Sequence, residues 1–211
     1  MSSVKASKRT RPGGALKRSY TLLAPIYDLV AGPAFRRARK ASLAPLHRLA
    51  GQDVFLNGIG TGLDLQHLPR GHRYTALDLT DAMLRRGVRR GKDLDLNWVQ
   101  GDSLDLPFRD DTFDCAVLHL IVAVVPRPVQ ALSEAARVVK TGGTLLLFDK
   151  FLGAGSTAPL RRLLSPVLSR IATRTDVVFE TLMHAQPRLR VISNEPALAR
   201  GWFRRIVLEK I

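Results

Sequence analysis

The chain has 211 residues, a formal net charge of +15, 45% apolar residues and one cysteine. That length fits one domain with a sizeable buried core, and no apolar run approaches the roughly 20 residues of a membrane-spanning helix. Cys115 lies in an apolar run with no internal disulfide partner, which predicts a small core residue in a reducing compartment rather than a nucleophile.

The charge is unevenly placed. Residues 1–48 hold 11 basic residues against Asp28 alone, and residues 159–211 hold 10 against 4 acids. Between them, 12 basic residues face 13 acids. A near-neutral centre with basic flanks is either a solvated surface or one that meets a polyanion, membrane or nucleic acid.

In chain order, residues 1–14 read as a disordered basic tail ending in Pro12-Gly13-Gly14, without the apolar stretch of a secretory signal. Residues 15–30 and 34–50 read as two helices split by Gly32-Pro33, with Pro25 and Pro45 interrupting them. Strands are then predicted at 53–57, 73–78, 95–99, 113–119 and 143–149. Helices are predicted between them at 62–68, 80–90 and 127–138. This alternation predicts an α/β fold, a parallel sheet with helices on both faces. Helices at 158–172 and 176–185 and strands at 189–195 and 202–210 complete the chain.

The first strand runs into Val54-Phe-Leu-Asn-Gly58-Ile-Gly60-Thr61-Gly62. Asp78 ends the second strand about 20 residues after the first glycine, the spacing of a nucleotide-binding βαβ unit. Glycines let the backbone turn sharply and approach a ligand. The acid is placed to accept hydrogen bonds from two ribose hydroxyls.

Three further segments follow: Asp78-Leu79-Thr-Asp-Ala-Met83-Leu84, Gly101-Asp102-Ser103 leading to Leu106-Pro-Phe-Arg-Asp-Asp-Thr-Phe-Asp114, and Arg137-Val-Val-Lys-Thr-Gly-Gly143. As a set, over about residues 15–150, they resemble the class I S-adenosyl-L-methionine (SAM) methyltransferases. The resemblance implies a Rossmann-like, mostly parallel seven-stranded sheet with an antiparallel C-terminal strand. It implies a single domain over 15–211, with 15–50 as a helical lid or membrane-contact segment. SAM is the implied cofactor, with Gly58, Gly60, Thr61 and Gly62 under its methionine part and Asp78 on the ribose. Asp102 and Ser103 would meet the adenine, and Leu79 and Met83 its apolar face. His119, Leu120 and Tyr20 would border the rest of the site, His119 and Leu120 near the sulfonium. One departure stands out: the family carries an acid two positions before the first glycine, where this chain has Leu56. Asn57 is adjacent but alternates to the other face of the strand.

Tyr20-Thr-Leu-Leu-Ala-Pro-Ile-Tyr27-Asp28 and Ile121-Val-Ala-Val-Val-Pro-Arg-Pro128 resemble segments of bacterial phospholipid N-methyltransferases. The quinone C-methyltransferases carry a looser version of the first. The implied acceptor is the amine of phosphatidylethanolamine, reached from the cytoplasm by a peripheral protein on the inner face of an anionic membrane. Residues 1–48 would supply that contact. His119, Tyr27 and Asp149 are candidates to assist amine deprotonation, and Lys150 or a flanking arginine to bind phosphate. A methyltransferase for a quinone or other lipophilic small molecule stays open, as does a SAM-fold module that has lost activity. Nucleic acid is not expected as partner. The segment after the fourth strand, His119-Leu120-Ile121-Val122, lacks the Asn/Asp-Pro-Pro-aromatic motif of base amino-methyltransferases, and there is no aromatic-rich basic stripe. No metal is expected, since the histidines are scattered and Cys115 stands alone.

Overall fold

The computed structural model describes residues 33–152 and 177–211. The predicted tail at 1–14, the helices at 15–30 and 158–172, and Tyr20 and Tyr27 all lie outside the described residues. The described chain opens on helix α1, residues 33–42, followed by a 3-10 turn, Ala44–Arg48. The single helix predicted over 34–50 is therefore two pieces. Pro45 has no N–H to continue a helical ladder, and its ring clashes with the carbonyl four residues back.

Seven strands follow: β1 (Asp53–Asn57), β2 (Arg73–Asp78), β3 (Asp95–Gln100), β4 (Phe113–His119), β5 (Val139–Lys150), β6 (Leu189–Leu198) and β7 (Phe203–Lys210). They form one sheet in the order β3-β2-β1-β4-β5-β7-β6. The first five pair in parallel, and β7 runs antiparallel between β5 and β6. The helices are α2 (Asp81–Arg90), α3 (Pro128–Val138) and α4 (Phe179–His184). The helix predicted at 62–68 shrinks to a three-residue 3-10 turn, Leu65–His67. Gly58, Gly60 and Gly62 all have positive φ, of 70°, 56° and 82°, and Pro69 follows closely. Helical backbone has no room to establish itself between them.

Alternation along β1 sorts its side chains between two cores. Val54 and Leu56 join Leu43, Leu46, Tyr74, Leu84 and Val117 under α1 and α2. Phe55 joins Leu77, Leu118, Leu132 and Ala135, with Phe179 and Leu182 of α4. Phe55 and Leu56 are at most 1% exposed, and burial of each contributes on the order of 2 kcal/mol. A sheet covered on both faces explains why its central strands read as continuous apolar runs. Cys115 is buried in the first of these cores, and burial pushes its thiol up to about 12.

Candidate active site

In a sheet of this kind the parallel strands deliver their carboxyl ends to one side, where ligands bind. Here those ends are Asn57, Asp78, Gln100, His119 and Lys150. After β1 the chain turns sharply. The N–H groups of Gly58 and Ile59 both donate to the Leu77 carbonyl, at 2.9 and 3.0 Å. A Cβ on Gly58 would lie 2.7 Å from the Ile121 side chain, so the residue is glycine for packing as well as for its φ. Gly60 is different, because a Cβ there would meet nothing within 4 Å. Its N–H donates to Asp78 Oδ2 at 2.9 Å. Open space therefore lies over the loop, beside a carboxylate.

Asp78 also accepts from the Thr80 N–H at 3.0 Å and the Thr80 hydroxyl at 3.2 Å, both on Oδ1. Burial pushes its carboxyl up, against the pull of the Thr80 and Gly60 hydrogen bonds. The glycine loop, an open cradle and an acid at the end of β2 are the parts a ribose-bearing ligand requires.

The chain is similar in sequence and in fold to known proteins. A model of the methyltransferase domain family matches residues 56–147. The chain is 31% identical to a phosphatidylethanolamine N-methyltransferase of Cereibacter sphaeroides, over 90% of this chain and 94% of that protein. It belongs to the class I SAM-dependent methyltransferases. It is also 36% identical over 130 residues to the ubiquinone/menaquinone biosynthesis C-methyltransferase UbiE of Roseobacter denitrificans. It spans about half of that relative's length, 52%. Among solved structures the geranyl diphosphate C-methyltransferase of Streptomyces coelicolor, in complex with S-adenosyl-L-homocysteine, superposes with a TM-score of 0.67. It does so at 15% identity, over 83% of this chain and 76% of that one. The [4+2]-cyclase SpnF superposes at 0.74 with 15% identity, over 98% and 99%, which speaks to the fold alone. The methyltransferase uses SAM, and the cradle at Gly60 and Asp78 fits it.

The other predicted positions within the described residues differ in their surroundings. The Thr61 carbonyl accepts from Arg90 Nη1 at 2.7 Å, which ties the loop to the end of α2. Met83 is buried at the start of α2, and Leu79 is half-buried beside Asp78. Asp102 is exposed, and its Oδ1 accepts from the Leu104 N–H at 2.9 Å in a tight turn. Ser103 faces the other way. It is buried, and its hydroxyl donates to Asn57 Oδ1 at 2.6 Å. That hydroxyl is committed inside the protein, where the sequence alone suggested an adenine contact. Leu120 adopts φ +57° and donates its N–H to the Phe148 carbonyl at 2.8 Å, so the chain bends abruptly away from β4.

His119 and Asp149 are both enclosed. The His119 Nδ1 lies 2.9 Å from Asp64 Oδ1, and its Nε2 lies 3.0 Å from the Ser42 hydroxyl. Asp149 is 1% exposed, and its two oxygens accept from the Ala123 and Lys150 N–H groups at 3.0 and 2.8 Å. Burial pushes its carboxyl up to about 6 despite those hydrogen bonds. The ammonium of Lys150 is lowered, also by burial, with Asp149 opposing.

Asp64 was not singled out by the sequence. It also takes Arg39 Nη1 on Oδ1 at 2.8 Å, and both side chains are under 8% exposed. Burial works against its charge, yet His119 and Arg39 outweigh that and hold its carboxyl well below the usual range. The one available signal was the departure at Leu56, which invites a search for another acid close to the glycine loop.

The open space at Gly60 gives a direct test. Gly60→Ala places a methyl in the cradle and forces a side chain to φ +56°, at a cost of about 1 kcal/mol in backbone strain. SAM affinity by calorimetric titration is expected to fall about tenfold, or ~1.4 kcal/mol, with only a small drop in melting temperature. Unchanged affinity would show that the space is not cofactor room.

Proposed function

We propose that this methyltransferase N-methylates the headgroup amine of phosphatidylethanolamine at the anionic, cytoplasmic face of a membrane. The observation that carries this reading is the similarity to a phosphatidylethanolamine N-methyltransferase along nearly the whole of both chains. The charge of α1 supports it. Arg36, Arg37 and Lys40 are exposed on the helix whose Arg39 pairs with Asp64 and whose Ser42 reaches the end of β4. Each cation near an anionic leaflet contributes on the order of 1 kcal/mol.

SAM supplies a methyl group on a positively charged sulfur. The chain's task is then to bind, align and exclude water. Asp78 accepts hydrogen bonds from the ribose hydroxyls, and Asp102 from the adenine amine. The turn after Leu120 and the carboxylate of Asp149, bonded to the Ala123 N–H, fix the wall that the acceptor meets. The amine must arrive neutral to attack. His119 has both ring nitrogens engaged and Asp149 both oxygens, so each shapes the site rather than taking the amine's proton. Lys150, half-buried beside Asp149, is the cation at the β5 end suited to the lipid phosphate.

The test is transfer of labelled methyl from SAM to phosphatidylethanolamine vesicles with and without an anionic lipid. Labelled mono-, di- or trimethylated headgroups, more abundant with the anionic lipid, are expected. SAM binding without labelled lipid would overturn this acceptor. Label in a quinone precursor would then favour the reading that the UbiE-type relatives support.

A further inference from the structure

We propose that Asp64 is a positioning residue that couples the seating of α1 to SAM binding. The coupling concerns the cofactor half of the site and is independent of which acceptor is methylated. Three stretches far apart in sequence meet at this carboxylate. Oδ1 accepts from Arg39 Nη1 of α1 at 2.8 Å and lies 2.9 Å from Nδ1 of His119, the last residue of β4. The second ring nitrogen of His119 meets the Ser42 hydroxyl, again on α1, at 3.0 Å. All four residues are buried.

The network grips two of the segments that form the cofactor site. Asp64 follows Gly62 by two residues, so a shift of its carboxylate drags the glycine loop. His119 precedes Leu120, whose left-handed backbone sets the bend at the β4 end. On the same face of the sheet, Leu56 fills with hydrocarbon the position where an acid would reach toward the cofactor. The negative charge of this corner sits on Asp64 in the loop after the strand, where Arg39 of α1 neutralises it.

Lifting α1 would leave Asp64 buried beside His119 without its guanidinium, and Arg39 without its carboxylate. Stranding a buried charge is strongly unfavourable, so α1 is bolted down rather than hinged. A loop held in place by α1 binds SAM better than one released from it. By linkage, SAM must then hold α1 more firmly by the same factor. A network that only stabilised the fold would give α1 no protection from SAM beyond the slowing that bound ligand brings to the core strands through global unfolding.

Hydrogen exchange at the α1 amides, measured with and without saturating SAM, separates these cases. Wild type is expected to exchange about tenfold more slowly at α1 with SAM, a typical coupling. Asp64→Asn is expected to lose that slowing at saturating SAM and to bind SAM about tenfold more weakly. Ser42→Ala removes only the hydroxyl on His119 and leaves the ion pairs intact, so it reports even if Asp64→Asn fails to fold. It is expected to bind SAM about threefold more weakly and to show reduced slowing. The proposal is overturned if wild-type α1 exchanges identically with and without SAM. It is equally overturned if Ser42→Ala matches wild type in both affinity and protection.

Discussion

Asp78→Ala is expected to weaken SAM binding at least a hundredfold while leaving a folded protein. Two hydrogen bonds from ribose hydroxyls to a carboxylate contribute about 1.5–3 kcal/mol each. Losing both amounts to roughly 3 kcal/mol or more in affinity. The variant also frees the Gly60 N–H and the Thr80 N–H and hydroxyl, which Asp78 now accepts. The glycine loop should loosen, adding to the loss. Asp78→Asn keeps one acceptor oxygen and should fall between the two. Calorimetric titration with SAM, alongside a circular dichroism melt, reads both effects. A folded Asp78→Ala protein that binds SAM as wild type does would remove Asp78 from the ribose site.

The second large effect is on stability and has an unusual sign. A carboxylate whose folded pKa lies above its unfolded value stabilises the fold only while it is protonated. For Asp149, pushed up to about 6 from an ordinary 3.8, that stabilisation is complete below the unfolded value. It disappears as pH rises through about 6. From pH 4.5 to 7.5 the loss is about 2 kcal/mol. Asp64, Asp53, Asp114 and Glu134 have depressed carboxyls and push the other way, losing stability on acidification. The difference between wild type and Asp149→Asn isolates the one residue. In urea titrations across this window, the variant should gain on wild type by about 2 kcal/mol as pH rises. Parallel pH profiles would show that Asp149 does not titrate there. What keeps the charge in place at neutral pH is its grip on the Ala123 N–H, which holds the turn after β4.

The parts of this site that were legible in the sequence are those written locally. Gly58, Gly60, Gly62 and Asp78 stand in one strand–turn–strand unit, and their spacing reports the geometry almost directly. The strand pattern was legible for the same reason: two-sided burial makes each central strand a short apolar run between turn residues. What stayed hidden depends on distant partners. The His119 to Asp64 contact spans 55 positions, and His119 to Ser42 spans 77. An Asp between Leu63 and Leu65 reads as the polar face of a helix, and nothing local says that its side chain turns inward. The false helix at 62–68 and the overlooked role of Asp64 are thus one error. Ser103 misled in a related way. It was expected at the adenine, but its hydroxyl bonds Asn57, 46 positions earlier.

The placement of β7 between β5 and β6 has a bearing on how this protein is made. A chain leaving the ribosome presents β5 long before β7 exists, and β6 emerges with no strand to join. Until residues 203–210 arrive, β5 offers an open edge that includes Leu145, Leu146, Leu147 and Phe148, all fully buried in the finished fold. Open apolar edges invite pairing between chains. Lys210 then closes the sheet, donating from its ammonium to Asp111 and to the Val139 carbonyl, both at 2.7 Å. Assembly of this half of the sheet is therefore a late event in synthesis, and the yield of soluble protein will depend on how quickly the last strand finds its slot.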